Sequence, residues 1–260
     1  MKPIKQVIVD YIESKHPVVP VGYDQPEPHI SSGGFNAGSL IFCPRKDYYQ
    51  RAEKNGLLPF TPEPRTAASR WKMRLGVIVE TLVVYPALQS SGEWERVDTQ
   101  HKLTHEPTER STVVDFVLEN IGERTYMELK TAESKFVLKG DKPTMHLVQP
   151  IWAWVCEPEG SKPDNLLLVQ MAYDRFPIFN EYHINLERLM YTSRGQSWPL
   201  PDEVAPVRLL AEATRRYEMY HARELPPTEP FAKWECRYCD YKEACKVNTN
   251  ILDKTEAEDE

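Results

Sequence analysis

Residues 111–132 constrain the fold of this chain more than any other segment. They read STVVDFVLE, then NIG, then ERTYMELKTA. β-Branched and aromatic residues on both sides of a short turn containing Asn and Gly predict two antiparallel strands, 111–119 and 124–132, joined as a hairpin. The preceding segment 94–104 predicts a third strand. We therefore expect a three-stranded antiparallel sheet.

The remaining predicted elements surround this sheet with helices. The mostly apolar segment 66–88 predicts a long helix, 144–156 a helix that Pro150 begins or kinks, and 202–224 another helix. Segments 165–175 and 178–186 predict two further strands. The order of helix, three antiparallel strands, helix and strand indicates an α/β fold, with a sheet core and helices at its flanks.

Composition argues against a membrane or secreted protein. The chain has 260 residues, of which 41% are hydrophobic, but no apolar run approaches the ~20 residues of a membrane span. Its first 15 residues have the apolar spacing of an amphipathic helix rather than of a secretory signal. We expect a cytoplasmic protein without membrane contact. Its five cysteines are then ligands or core residues rather than disulfides.

Charge is unevenly distributed along the chain. The net charge is -7, and the last eight residues, DKTEAEDE, contribute five acids to it. Residues 44–74 instead hold eight basic and three acidic side chains, which favours a phosphate-bearing partner at that segment. The candidate phosphate contacts are Arg45, Arg51, Arg70, Lys72 and Arg74.

Acidic residues interrupt the apolar segments at points where a metal ion would explain them. Glu128 and Lys130 are two apart on a strand and so share one face. Such a pair alone is usually a surface ion pair worth under ~1 kcal/mol. Asp115, however, lies among β-branched residues where the hairpin could bring it beside Glu128, and Glu80 lies in an apolar helix. Carboxylates brought together in this way favour a divalent cation such as Mg²⁺.

A second group of residues is typical of a metal or cluster site. Cys236, Cys239 and Cys245 follow the pattern C-x2-C-x5-C, and a four-coordinate site needs one more ligand. Cys43 and Cys156 are the candidates, although Cys156 ends an apolar helix where a free thiol packs well. Thiolates suit zinc or an iron–sulfur cluster, and the chemistry alone favours zinc, the commoner of the two.

The acidic residues, taken in order, resemble the motifs of the PD-(D/E)XK nuclease superfamily, and within it the RecB-type exonucleases. The matching positions are Gly76, Glu80, Asp115, Glu128, Lys130 and Gln149. Val114 replaces the motif's proline. Glu80 stands where RecB-like members often carry His; members of the lambda exonuclease type carry Glu at this position. The tyrosine of the Q-x-x-x-Y motif is replaced by Ala153. Trp152 or Trp154 could take its place by stacking on a base, though core packing is more typical of both, and His146 is interpreted as a helix-surface residue.

The cysteines extend this resemblance to the CRISPR-associated protein four and AddB-type nucleases. Cys43, with the nearby Arg45, Tyr48 and Tyr49, matches the upstream part of their cysteine motif. The resemblance implies a [4Fe-4S] cluster that ties together the two ends of a restriction-endonuclease-like core. Its ligands would be Cys43, Cys236, Cys239 and Cys245. The implied organisation is an N-terminal helical and loop region (1–65), a nuclease core (66–200), a C-terminal helix with the cysteine region (201–250) and a disordered acidic tail (251–260).

The resemblance also implies an activity: Mg²⁺- or Mn²⁺-dependent hydrolysis of DNA at single-stranded or frayed ends, most often 5′→3′ and sometimes endonucleolytic. Glu80, Asp115, Glu128 and the Leu129 carbonyl would hold the metal, Lys130 would orient water, and Gln149 would help position water or DNA. Relatives act in recombination, phage DNA processing or CRISPR spacer acquisition, some with protein partners or as oligomers. Two alternatives remain open: a non-cleaving subunit that binds DNA ends, and a zinc-stabilised structural protein.

Overall fold

The structure, a computed structural model, describes residues 2–14, 37–57, 75–139, 144–175, 177–237 and 239–246. Three features predicted from the sequence lie outside these ranges. They are the first part of the predicted helix 66–88, the basic residues Arg70, Lys72 and Arg74, and the acidic tail 251–260.

Strands in the described part of the chain form one mixed seven-stranded sheet in sequence order. Neighbouring strands are antiparallel except β3 and β4, which run parallel and are therefore joined by a helical crossover. The strands are β1 (Arg96–His105), β2 (Arg110–Asn120), β3 (Glu123–Ala132), β4 (Asn165–Ala172), β5 (Phe179–Asn185), β6 (Met190–Ser193) and β7 (Gln196–Pro199).

Helices cover both faces of this sheet. They are α1 (Ile4–Glu13), α2 (Pro44–Lys54), α3 (75–90), α4 (Ser134–Lys139), α5 (Thr144–Cys156), α6 (Pro206–His221), α7 (Lys233–Arg237) and α8 (Lys242–Lys246). On one face, α1 and α3 pack against Phe116, Met127 and Leu129. On the other, α5 and α6 pack against Val117 and Tyr126. The sheet is thus the middle of three layers, and its two faces take alternate residues of β3.

A smaller apolar cluster joins the two ends of the described chain. Tyr48 and Tyr49 of α2 pack with Tyr220 of α6 and with Tyr241 and Ala244 near the C-terminal end. These aromatic rings bring α2 and α8 together although nearly 200 residues separate them in sequence. The cysteine-bearing segments therefore lie close together.

The α/β organisation with helical flanks is confirmed, as are the three antiparallel strands, which start or end within two residues of the predicted bounds. The predicted turn holds Ile121 and Gly122 at φ 50° and 78°, the conformation of a tight hairpin turn. Pro150 lies inside α5 rather than at its start. The predicted helix 202–224 begins at Pro206 after a 3-10 turn, and β6 and β7 were not predicted. No helix in the described ranges is long and apolar enough to cross a membrane.

Candidate active site and cysteine-lined cavity

Backbone pairing between β2 and β3 stops where the acidic residues lie, which leaves an opening in the sheet. The last pair between β2 and β3 is Phe116 with Met127, so the next step of the register sets Asp115 opposite Glu128. An Asp115 oxygen accepts a hydrogen bond from the Leu129 N–H at 2.8 Å. Pairing between β1 and β2 is also interrupted here, at Gln100, whose φ is 55°. Asp115 thus sits at a break in both ladders, and the expected approach of Asp115 to Glu128 follows from the register.

Glu80 reaches this opening from α3. A π-helical turn, Glu80–Val84, begins at this residue, and such turns are frequent at functional sites. One turn earlier, a Cβ added to Gly76 would lie 3.0 Å from Oγ1 of Thr131, so glycine lets α3 lie close against the end of β3. The Glu80 carboxylate accepts a hydrogen bond from Nε2 of Gln100 at 2.5 Å.

Glu128 and Lys130 form an ion pair that is mostly withdrawn from water. The Glu128 residue is 1% exposed and the Lys130 side chain 27% exposed, and the ammonium donates a hydrogen bond to the carboxylate. Burial opposes the charge on Lys130, but Glu128 and Asp115 together raise its pKa above the ordinary value. The simple reading of this pair as an exposed surface ion pair is therefore wrong.

The three carboxylates influence one another's ionisation. Burial, and then the Asp115 charge, raise the pKa of Glu80 to about 7. The same two causes raise the pKa of Glu128 to about 8, even though Lys130 acts against them. Close, buried carboxylates of this kind resist ionisation unless a cation joins them. Within the described ranges, however, no three His, Cys, Asp or Glu side chains are arranged as ligands of one metal ion, so a complete coordination shell is not formed.

These raised values predict how the stability of the metal-free protein depends on pH. Between pH 4.5 and about 8 the folded chain binds more protons at Glu80 and Glu128 than the unfolded chain, so its free energy of unfolding falls as pH rises. His146, with its pKa lowered to about 4, acts oppositely, but only up to its ordinary value of 6.5. We expect a loss of about 2 kcal/mol between pH 6.5 and 8 in urea unfolding with EDTA.

The Glu128→Gln variant is the control for this pH dependence. It has no titrating carboxyl at that position, so its stability should change by less than half as much over the same range. A wild-type stability that is constant from pH 6.5 to 8 would contradict the prediction.

The N-terminal half of α5 borders the opening. Burial, and then the charge of Lys130, lower the pKa of His146, which is therefore neutral and close to the ammonium. His146 and Gln149 line a cavity of about 310 Å³ together with Cys43 and Lys46. Trp152 is fully buried in the core, so it cannot stack on a base. His146 thus lies nearer the candidate site than its interpretation as a helix-surface residue implied.

The cysteines from both ends of the chain line one cavity of about 380 Å³. Four of them take part, and four basic side chains border the same space. The cysteines are Cys43, Cys236, Cys239 and Cys245, and the basic residues are Arg45, Lys46, Lys242 and Lys246. Burial, and then the neighbouring Cys43, raise the pKa of the Cys236 thiol. Cys156, the other candidate ligand, does not line the cavity.

Glu235 joins the two cysteine segments by hydrogen bonds. It is 2% exposed, and one carboxylate oxygen accepts the Cys43 N–H at 3.0 Å while the other accepts the Phe231 N–H at 2.9 Å. Nothing in the local sequence distinguishes Glu235 from a surface glutamate, so sequence reasoning did not find it. Its partner Cys43 lies 192 residues away.

Two of the candidate phosphate contacts have internal partners. Arg45 donates a hydrogen bond to the Pro226 carbonyl at 2.8 Å. The Arg51 side chain is 5% exposed, pairs with Glu109 at 2.8 Å and lies over the Tyr220 ring. These contacts favour a packing role for Arg51 over a contact with phosphate.

A buried network of charges fixes the segment that precedes Cys43. Asp47 pairs with Arg110 at 2.6 Å and with Arg216 at 3.5 Å, and these two cations hold the pKa of its carboxyl far below the ordinary value although burial opposes ionisation. Arg216 also donates hydrogen bonds to the carbonyls of residues 39, 40 and 42 at 2.6–2.8 Å. α6 therefore holds this segment against the sheet domain.

The fold and the opening in the sheet define the class of this protein: an α/β protein with a seven-stranded mixed sheet flanked by helices, in the part of the chain that the structure describes. No family model matches the chain, and no curated protein matches it. Among solved structures it is similar to the "Crystal structure of SSO0001", with 18% identity, a TM-score of 0.46 and 95% of each chain covered.

Proposed function

We propose that this protein is a metal-dependent DNA exonuclease of the PD-(D/E)XK type, resembling the RecB-like enzymes that carry a [4Fe-4S] cluster. The observation that carries the proposal is the group formed by Glu80, Asp115, Glu128 and Lys130 at the break in the sheet. A protein that only binds DNA needs no such group. Withdrawal of this group from water, which is nearly complete for Glu128, also carries a free-energy cost that a structural role alone does not explain.

The residues present fit a divalent cation by the chemistry of their donors. The three carboxylates supply the oxygen atoms that Mg²⁺ and Mn²⁺ prefer, and two of them, Glu80 and Glu128, have raised pKa values that a cation would offset. When bound, the ion would neutralise charge on the phosphodiester and lower the pKa of a water molecule. Glu80, Asp115, Glu128 and the Leu129 carbonyl would hold it.

Lys130 would act on the water and the phosphate. Its ammonium is held by Glu128, keeps its proton at neutral pH and retains some exposure toward solvent. It can therefore orient the attacking water and stabilise negative charge as the water oxygen bonds to phosphorus and the ester P–O bond breaks. The neighbouring His146 is neutral at this pH, so it would not compete with Lys130 for the negative charge of the phosphate.

The cysteine-lined cavity supplies four thiol groups, the ligand set of a [4Fe-4S] cluster and equally of a zinc ion. The resemblance to cluster-bearing nucleases favours the cluster. Four thiolates and a rim of basic side chains suit a negatively charged [4Fe-4S] cluster.

One experiment tests the proposal. The protein is purified without oxygen and incubated with end-labelled single-stranded and double-stranded DNA in Mn²⁺, Mg²⁺ or EDTA. We expect shortening of single-stranded DNA from its 5′ end with either metal and none in EDTA. DNA-end binding in a gel-shift assay without cleavage in either metal would instead support the non-cleaving subunit. Absence of both binding and cleavage would leave the proposal without support.

A further inference from the structure

Gln100 has a backbone conformation that its place in the fold does not require. Among described non-glycine residues with positive φ, it alone lies inside a strand; the others, such as Ile121, lie in turns. A residue with a side chain gives up about 1–2 kcal/mol in this conformation. It also leaves β1 and β2 unpaired opposite Asp115. The strain is localised at the candidate active site.

In this conformation the side chain of Gln100 contacts the Glu80 carboxylate. Its Nε2 donates a hydrogen bond to Oε1 of Glu80 at 2.5 Å, linking β1 to the start of the π-helical turn in α3. A neutral amide orients a carboxylate without cancelling its charge. A lysine or arginine at the same position would compete with a metal ion for that carboxylate.

Each of the three carboxylates at the opening accepts a hydrogen bond from a different kind of donor. Glu80 accepts one from the Gln100 amide, Asp115 one from a backbone N–H of β3, and Glu128 one from the Lys130 ammonium. Carboxylates that bind metal are commonly held by such outer hydrogen bonds, whose loss weakens metal affinity by about 10–100-fold. Only the donor to Glu80 comes from β1.

We propose that Gln100 is a positioning residue, which holds the Glu80 carboxylate toward Asp115 and Glu128 and thereby sets the affinity of the site for a divalent cation. This inference rests on the proposed metal-dependent function, because it assumes that the three carboxylates share an ion. Gln100 acts through Glu80 and does not touch the DNA or the reacting atoms.

Two variants distinguish the effect of the Gln100 side-chain amide from the effect of its backbone conformation. Gln100→Gly removes the side chain and relieves the positive φ, whereas Gln100→Met keeps the length of the side chain but cannot donate a hydrogen bond. Ile121→Gly is the control, since it relieves a positive φ of 50° at an exposed turn that is remote from the carboxylates. Mn²⁺ affinity is measured from the electron paramagnetic resonance signal of the free ion, and folding from thermal unfolding in EDTA.

We expect both Gln100 variants to bind Mn²⁺ about 10-fold more weakly than wild type, while Ile121→Gly binds as wild type does. Their melting temperatures in EDTA should not fall below the wild-type value by more than about 3 °C. An affinity within twofold of wild type in either Gln100 variant overturns the inference, because the amide is then dispensable. So does a wild-type protein that binds no Mn²⁺.

The readout is independent of cleavage. A wild-type protein that binds Mn²⁺ but leaves DNA intact would refute the proposed nuclease function, while the effect of Gln100 on Mn²⁺ affinity could still be measured. Conversely, a wild type that cleaves DNA, with Gln100 variants that bind Mn²⁺ unchanged, would refute only the positioning role.

Discussion

Replacing Lys130 with alanine should slow DNA cleavage by about 10³-fold and leave DNA binding within about threefold of wild type. The ammonium donates a hydrogen bond to Glu128 and lies within the field of Asp115 and Glu80, so it is placed to orient water at the carboxylates. Cleavage rates under single-turnover conditions and gel-shift titrations measure the two effects separately.

The substitution should leave the fold intact. Lys130 lowers the pKa of Glu128, so its loss moves that pKa further above neutral, and the buried carboxyl holds its proton rather than an uncompensated charge. The matched control is Lys135→Ala in α4; the Lys135 side chain is 64% exposed and pairs with Glu133, which precedes that helix. Cleavage by Lys130→Ala at the wild-type rate would show that the assignment of Lys130 is wrong.

Replacing Cys236 with alanine should remove the brown colour and the absorbance near ~400 nm that iron–sulfur proteins show. It should also lower the melting temperature by about 10 °C. Cys43 and Cys236 close a loop of roughly 190 residues, and the entropy of such a closure corresponds to about 5 kcal/mol as an upper bound. At about 2–4 °C per kcal/mol for a chain of this size, this accounts for the expected shift.

Cys156→Ala is the matched control for this experiment. Cys156 ends α5 and does not line the cavity, and burial raises the pKa of its thiol to about 12, so it remains protonated. The variant should keep the colour and the absorbance. A colourless, folded wild type that contains zinc after purification without oxygen would refute the iron assignment, and unchanged absorbance in Cys236→Ala would remove Cys236 from the ligand set.

The sequence was sufficient for those parts of the fold that depend on local patterns. β-Branched and aromatic residues along 111–132 and the turn that contains Asn120 and Gly122 predict the hairpin, and the register of that hairpin brings Asp115 to Glu128. These relations span few residues and follow from the geometry of a strand. Strands β6 and β7 are four residues each, too short for the same pattern to be recognised.

Contacts between distant segments could not be predicted in this way. Gln100 contacts Glu80 at the point where β1 leaves its regular conformation, and no property of the glutamine side chain indicates this contact. Arg51 is one of many basic residues in its segment, yet Glu109 and two tyrosines of α6 bury it. Partners so far apart in the chain are determined by how the layers pack, which a local pattern does not encode.

The hydrogen bonds from Arg216 to the carbonyls of residues 39, 40 and 42 bear on the order of folding and cofactor insertion. Those hydrogen bonds and the Asp47 pairs are made by the polypeptide alone, so they form whether or not any prosthetic group is present. Small zinc domains, in contrast, fold only when they bind their metal. If the proposed cluster is present, one corner of the cysteine-lined cavity is thus built during folding, and insertion of the cluster would be a late step on an already folded chain.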